Sequence, residues 1–101
     1  MLENPFRRKT QRLRHAVLEG PATLPPGTRR AAAENSGLTA GVAAYVAQVH
    51  SDALRVTDTQ VAELAGELDQ DAVFELTVAA ATGAGLSRLE RVLKLLDEEA
   101  P

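Results

Sequence analysis

A chain of 101 residues, 45% hydrophobic but only 3% aromatic, has room for about one domain with a modest core of alanine, leucine and valine, which suits packed helices better than a sandwich or barrel. It contains no cysteine, so disulfides, thiolate metal sites, thiol nucleophiles and dithiol redox pairs are excluded. The net charge of −3 conceals an asymmetry: residues 1–30 hold seven Lys/Arg against two acids and residues 31–101 four against twelve, a lopsidedness through which the two parts attract one another or a neighbouring copy.

Met1 to Phe6 reads as a loose arm, because Asn4-Pro5 disfavours helix before it, with Phe6 as an anchor. From Thr10 the spacing predicts a short amphipathic helix carrying Leu13, Val17 and Leu18 on one side and Arg7, Arg8, Lys9, Arg12 and Arg14 around the other, stopped by Gly20-Pro21. The basic patch is short, has no interleaved aromatics and belongs to an acidic chain, so it reads as a solvated or intersubunit face and not as a nucleic-acid surface. The stretch PATLPPG, residues 21–27, favours extended backbone and divides a basic N-terminal arm, residues 1–27, from a helical body, residues 28–101.

Thr28 to Glu34 has the composition of a short helix, ended by Asn35-Ser36-Gly37. A further helix starts near Thr39 and ends near Val56, with Leu38, Val42, Tyr45, Val46, Val49, Ala53 and Leu54 at helical spacing on the side expected to face the core. Thr57-Asp58-Thr59-Gln60 fits a capping box and opens a short helix with Val61, Leu64 and Ala65 inward. Asp69-Gln70-Asp71 then places acids at the start of the longest helix, where its dipole is positive.

That last helix, Asp71 to about Glu98, dominates the chain. Phe74, Val78, Ala81, Gly85, Leu89, Val92 and Leu96 recur at steps of four and three as one buried stripe, widened by Val73, Leu76, Ala80, Leu86 and Leu93. Its first half is apolar on almost every side, so most of its surface needs covering. Gly83 and Gly85 each weaken a helix interior by roughly 1 kcal/mol relative to alanine, which calls for close approach of a neighbouring helix over Ala79, Gly83 and Gly85. The expected fold is all-α, about five helices with a long C-terminal one. No apolar run reaches the ~20 residues of a membrane span, and Arg7-Arg8-Lys9 is not followed by a continuous apolar segment, so the default expectation is a cytoplasmic protein.

Groups able to do acid-base chemistry are few. His50, beside Val46, Val49 and Leu54, is the candidate general base. Glu75, set among alanines and Phe74, is poised either for proton transfer or for an ion pair with Arg29, Arg30 or Arg88. Tyr45 is the only phenol. No phosphate loop, dinucleotide fingerprint or convergent ligand set is visible, so no metal or cofactor is expected.

The segments VTDTQVAEL and DAVFELTVAAATGAGLSRLERVLKLL resemble the carboxymuconolactone decarboxylase and alkylhydroperoxidase-D-like superfamily over about Ala33 to Leu96. Members have a similar capped short helix followed by a long helix rich in alanine and glycine. In the peroxidase branch the preceding helix carries Cys-x-x-Cys-x-x-x-His; with His50 on the motif histidine, Ala43 and Val46 stand where the cysteines would, and Ala31 where an upstream acid is usual. The resemblance therefore implies the fold without the peroxidatic machinery, and a symmetric homo-oligomer, commonly a trimer or hexamer, built through long helices. The function expected on this basis is a redox-inactive structural or assembly subunit, alone or beside a catalytic protein partner. The alternative is a small cofactor-free decarboxylase or isomerase using His50, Glu75 and Tyr45 in a pocket between subunits. An adaptor that docks an acidic partner through the basic arm is a third class.

Overall fold

The computed structural model describes the backbone of residues 5–99 and the side chains of residues 7–98. Within them the chain is all-α: α1 (Pro5–Glu19), α2 (Pro26–Glu34), α3 (Ala40–Asp52) continued by a 3₁₀ turn (Ala53–Arg55), α4 (Asp58–Glu67) and α5 (Gln70–Glu99). At 1.5 Å per residue, the 30 residues of α5 span about 45 Å, most of the molecule's 53 Å length. Phe6, read as an anchor, lies outside the residues whose side chains are described.

Helix boundaries follow local chemistry. α1 starts at Pro5, a residue before the expected arm ends and well ahead of Thr10, because proline has no amide hydrogen to leave unsatisfied in a first turn and its φ is already helical. Pro26 plays the same part in α2, where Thr28 N and Arg29 N donate to Pro25 O. Asn35 closes α2 in the left-handed region at φ 56°, with Ser36 N donating to Ala31 O. The capping box is present as read: Thr57 Oγ1 accepts from Gln60 N at 3.2 Å, and Gln60 Oε1 from Thr57 N at 2.9 Å. Asp69 Oδ1 accepts from Ala72 N at 2.7 Å and starts α5.

α1, α2, α3 and α4 all contact α5, and Leu18, Val46, Leu76, Ala79 and Ala80 form the centre of the core. The closest approach is between α2 and α5. A Cβ on Gly83 would overlap the Ala33 carbonyl and stand 2.5 Å from Ala33 Cα, so the cost of glycine inside a helix is offset by backbone contact that no other residue permits. Gly85 differs from the sequence expectation. It is exposed, and a Cβ there would meet nothing within 4 Å.

Three further expectations are corrected. The face of α5 that enters the core is Ala72, Val73, Leu76, Ala79, Ala80, Gly83 and Ala84, of which the sequence reading places only Val73, Leu76 and Ala80 beside the stripe, whereas the stripe itself lies on the opposite, open side. Residues 5–27 do not project as an arm: α1 packs on α2 and α5, and Leu18 is buried in the core. Ala53 and Leu54 do not face α5, because α3 gives way to a 3₁₀ turn after Asp52 and the tighter winding swings Leu54 outward to 98% exposure.

Candidate functional site

The last turn of a helix leaves carbonyls without intrahelical donors, and in this chain three such ends are served by side chains from other helices. Arg29, on α2 and only 3% exposed, donates from Nη1 to Val17 O of α1 at 2.9 Å and from Nε to Leu24 O of the connector at 3.1 Å. His50, on α3, donates from Nε2 to Ala32 O of α2 at 2.8 Å. Arg88, on α5, donates from Nη2 to His50 O of α3 at 2.7 Å. Each helix is thus capped by the next donor in the series, and the positive charge of an arginine suits the negative end of the helix dipole. Sequence reasoning did not single out Arg29 as buried. The signal was available: Arg29, Ala32 and Ala33 fall at i, i+3 and i+4 on one face of α2, so the arginine shares the side of the two alanines that enter the core.

Glu75 completes the clasp on the connector. Its carboxylate accepts from Leu24 N at 2.7 Å and Thr23 N at 2.9 Å, and those backbone hydrogen bonds, aided by the positive charge of Arg29, hold its pKa below the usual glutamate value of 4.5. None of the three arginines considered as a direct partner supplies one: Arg29 spends its donors on carbonyls, Arg30 pairs with Glu19 at 2.6 Å, and Arg88 serves His50 O. A carboxyl acidified in this way is a weak base near neutrality. Its effect on stability has a definite sign. Because the folded pKa is depressed, the stabilisation is present above the unfolded value and is lost as pH falls from about 4.5 through the lower folded value. Thermal melts between pH 7 and pH 3 should show the wild type losing stability over that range, while Glu75→Gln starts lower at pH 7 and falls less; parallel curves would mean that the clasp adds nothing.

Tyr45 is buried, and its hydroxyl lies 2.6 Å from Thr77 Oγ1. The single Thr77 hydroxyl proton goes to Val73 O at 2.7 Å, so the phenol is the donor to Thr77 and its own oxygen remains an acceptor. Tyr45 borders a shallow depression of about 200 Å³ with Gln60, Glu63 and Glu67. His50 instead borders a cleft of about 360 Å³ between α1, α2 and α5, together with Arg14, Glu34, Ser87 and Glu90. In the neutral ring the proton sits on Nε2, facing Ala32 O, and Nδ1 holds the lone pair. His50, Glu75 and Tyr45 are therefore not brought together: each borders or binds a different part of the molecule. Among the described residues no group of His, Asp and Glu has the arrangement of a metal site, and no helix is long and apolar enough to cross a membrane.

The largest uncommitted feature is the open side of α5. Phe74 is 69% exposed, Val92 52% and Leu96 60%, with Ala81 and Gly85 also exposed between them and Leu89 at the edge. Beside its C-terminal half, Leu13 of α1 joins Leu89, Val92, Leu93 and Leu96 around an apolar groove of about 360 Å³ that Lys9 also lines. Isolated exposed apolar residues are ordinary, but a continuous apolar face along a helix marks a surface that binds something.

No family model matches the chain, and no curated protein or solved structure matches it.

Proposed function

We propose that the chain is a redox-inactive assembly subunit of the alkylhydroperoxidase-D-like helical type, and that it forms a closed homo-oligomer through the open side of α5. The observation that carries this reading is the position of the Phe74–Leu96 stripe: the first half of α5 packs its small-sided face against its own chain, and the stripe left outside runs apolar over about six turns. Symmetric self-association is the common way to cover such a face. The order of a capped short helix followed by a long alanine-rich helix supports the family likeness. The separation of His50, Glu75 and Tyr45 speaks against a decarboxylase or isomerase pocket made from those three groups.

Val92→Glu tests the reading. Half-exposed in the single chain, Val92 tolerates a charge there without loss of fold. In an assembled interface an unpaired buried carboxylate costs about 3 kcal/mol, roughly a hundredfold in the dissociation constant. The variant should keep its helical circular dichroism and elute as a smaller species by size-exclusion with light scattering. An unchanged oligomer would remove this face from the assembly.

A further inference from the structure

The stripe on α5 is symmetric about Gly85. Ala81 and Leu89 lie four residues to either side, Val78 and Val92 seven, and Phe74 and Leu96 eleven. Gly85 is also at the middle of the helix, which runs from Gln70 to Glu99. From this register we infer that two copies pair antiparallel through α5 with Gly85 on the two-fold axis, and that Phe74 of each copy fills the groove between α1 and α5 of the other. The inference rests on the assembly reading above and supplies the geometry that reading leaves open.

Four observations lead to it. First, an antiparallel pair centred on Gly85 sets Phe74 against Leu96, Val78 against Val92 and Ala81 against Leu89. Each contact is apolar, and the small Ala81 meets a large leucine, as an isologous interface requires. Second, the repeat is eleven residues, from Phe74 to Gly85 to Leu96. Eleven residues over three turns is 3.67 per turn, so the stripe drifts little around a helix of 3.6 and two such helices stay in contact over their length. Third, Gly85 has no reason within its own chain, since a Cβ there would meet nothing within 4 Å. A second backbone crossing at that point supplies the reason, as Ala33 does for Gly83.

Fourth, the groove lies where the register needs it. The residues opposite Phe74 are Leu96 and its neighbours Val92, Leu93 and Leu89, which with Leu13 line the apolar space of about 360 Å³. A parallel pairing would set Phe74 against itself, leave the groove unfilled and place both basic α1 helices at one end. The stripe itself, about 33 Å long on a helix 10–12 Å across, presents roughly 360 Å² per copy, or about 700 Å² for the pair, so the two grooves filled by Phe74 are needed to bring the contact to the roughly 1,000 Å² of a specific interface. A two-fold contact gives an even number of chains, so of the orders implied by the resemblance it permits the hexamer and excludes a simple three-fold ring.

Absence of native cysteine makes the register directly testable. Ala81→Cys and Leu89→Cys chains, made separately, are unfolded together, refolded as a mixture and treated with a short bis-maleimide. The expected product is a covalent Ala81→Cys/Leu89→Cys pair, with little cross-linking of either variant alone. Cross-linking of each variant to itself would establish a parallel pair and overturn the inference. No cross-link in a protein that light scattering shows to be oligomeric would overturn it too, while leaving assembly through another contact. A monomer would overturn both this geometry and the assembly reading. As a second readout, Phe74→Ala should weaken association by roughly thirtyfold or more, the loss expected of a residue that seats in a pocket at an interface. Gly85→Leu should split the pair without altering the circular dichroism of the chain, and a Gly85→Leu protein that stays paired would rule out a crossing at Gly85.

Discussion

Gly83→Ala is expected to destabilise the fold by about 3 kcal/mol or more, although it adds one methyl group to a helix that would ordinarily gain roughly 1 kcal/mol from the change. The added carbon would coincide with the Ala33 carbonyl and lie 2.5 Å from Ala33 Cα, and backbone cannot rotate aside as a long side chain can. Relief requires α2 to move off α5, which opens the most extensive helix contact in the molecule and displaces the fully buried Ala32, Ala79 and Ala80. For a domain whose total stability is on the order of 5–15 kcal/mol this is a large fraction. Gly85→Ala, two residues away, should do the reverse in a monomeric background such as Val92→Glu, adding about 1 kcal/mol through helix propensity, since nothing there obstructs a Cβ. Urea denaturation of both variants in that background checks the contrast. Equal effects of either sign would show that α2 does not set the requirement at Gly83.

Arg29→Met should have the second-largest effect. The arginine is almost fully buried, and its two hydrogen bonds tie the end of α1 and the connector to α2. Hydrogen bonds from a charged donor contribute about 1.5–3 kcal/mol each, and methionine would leave both the Val17 and Leu24 carbonyls without their arginine donor. A net loss of about 3 kcal/mol corresponds to a fall in Tm of roughly 10–20 °C for a domain of this size. Hydrogen exchange should show α1 losing protection first, because its attachment to α2 is the one removed. A Tm within two or three degrees of wild type would mean that water serves those carbonyls equally well.

The parts of this architecture written into local sequence were legible, and those set by the packing of distant helices were not. Thr57 and Gln60 form the capping box because both halves of the motif lie within four residues. Asn35 ends α2 because few other side chains tolerate its positive φ. Periodicity also showed that the first half of α5 is apolar around most of its circumference, but a period of 3.6 does not say which of two opposite apolar faces meets the rest of the same chain. The core took Leu76, Ala79, Ala80 and Gly83, and the stripe with the larger residues Phe74, Val92 and Leu96 was left outside. The choice follows from size: α2 brings Ala32 and Ala33 to α5, and only a small-sided face lets two helices approach so closely. Gly83 and Gly85 look alike as helix glycines for the same reason, since their difference is the presence of Ala33 beside one of them. Among the candidate acid-base groups, residue type was informative and placement was not. Nothing near His50 in sequence foretold that Ala32 O would take its Nε2 proton, and nothing near Glu75 foretold that the amides of Thr23 and Leu24 would hold its carboxylate.

The claim that α5 presents its open face to another copy is tested most directly by sedimentation equilibrium of the unmodified protein across low to high micromolar concentration, at low and at high salt. Burial of apolar surface is not screened by ions, whereas the exposed charges of α1 contribute little. The expected result is a mass that is a whole-number, even multiple of the 10.7 kDa chain, largely unchanged by salt. A well-folded species of 10.7 kDa at every concentration and salt would contradict it.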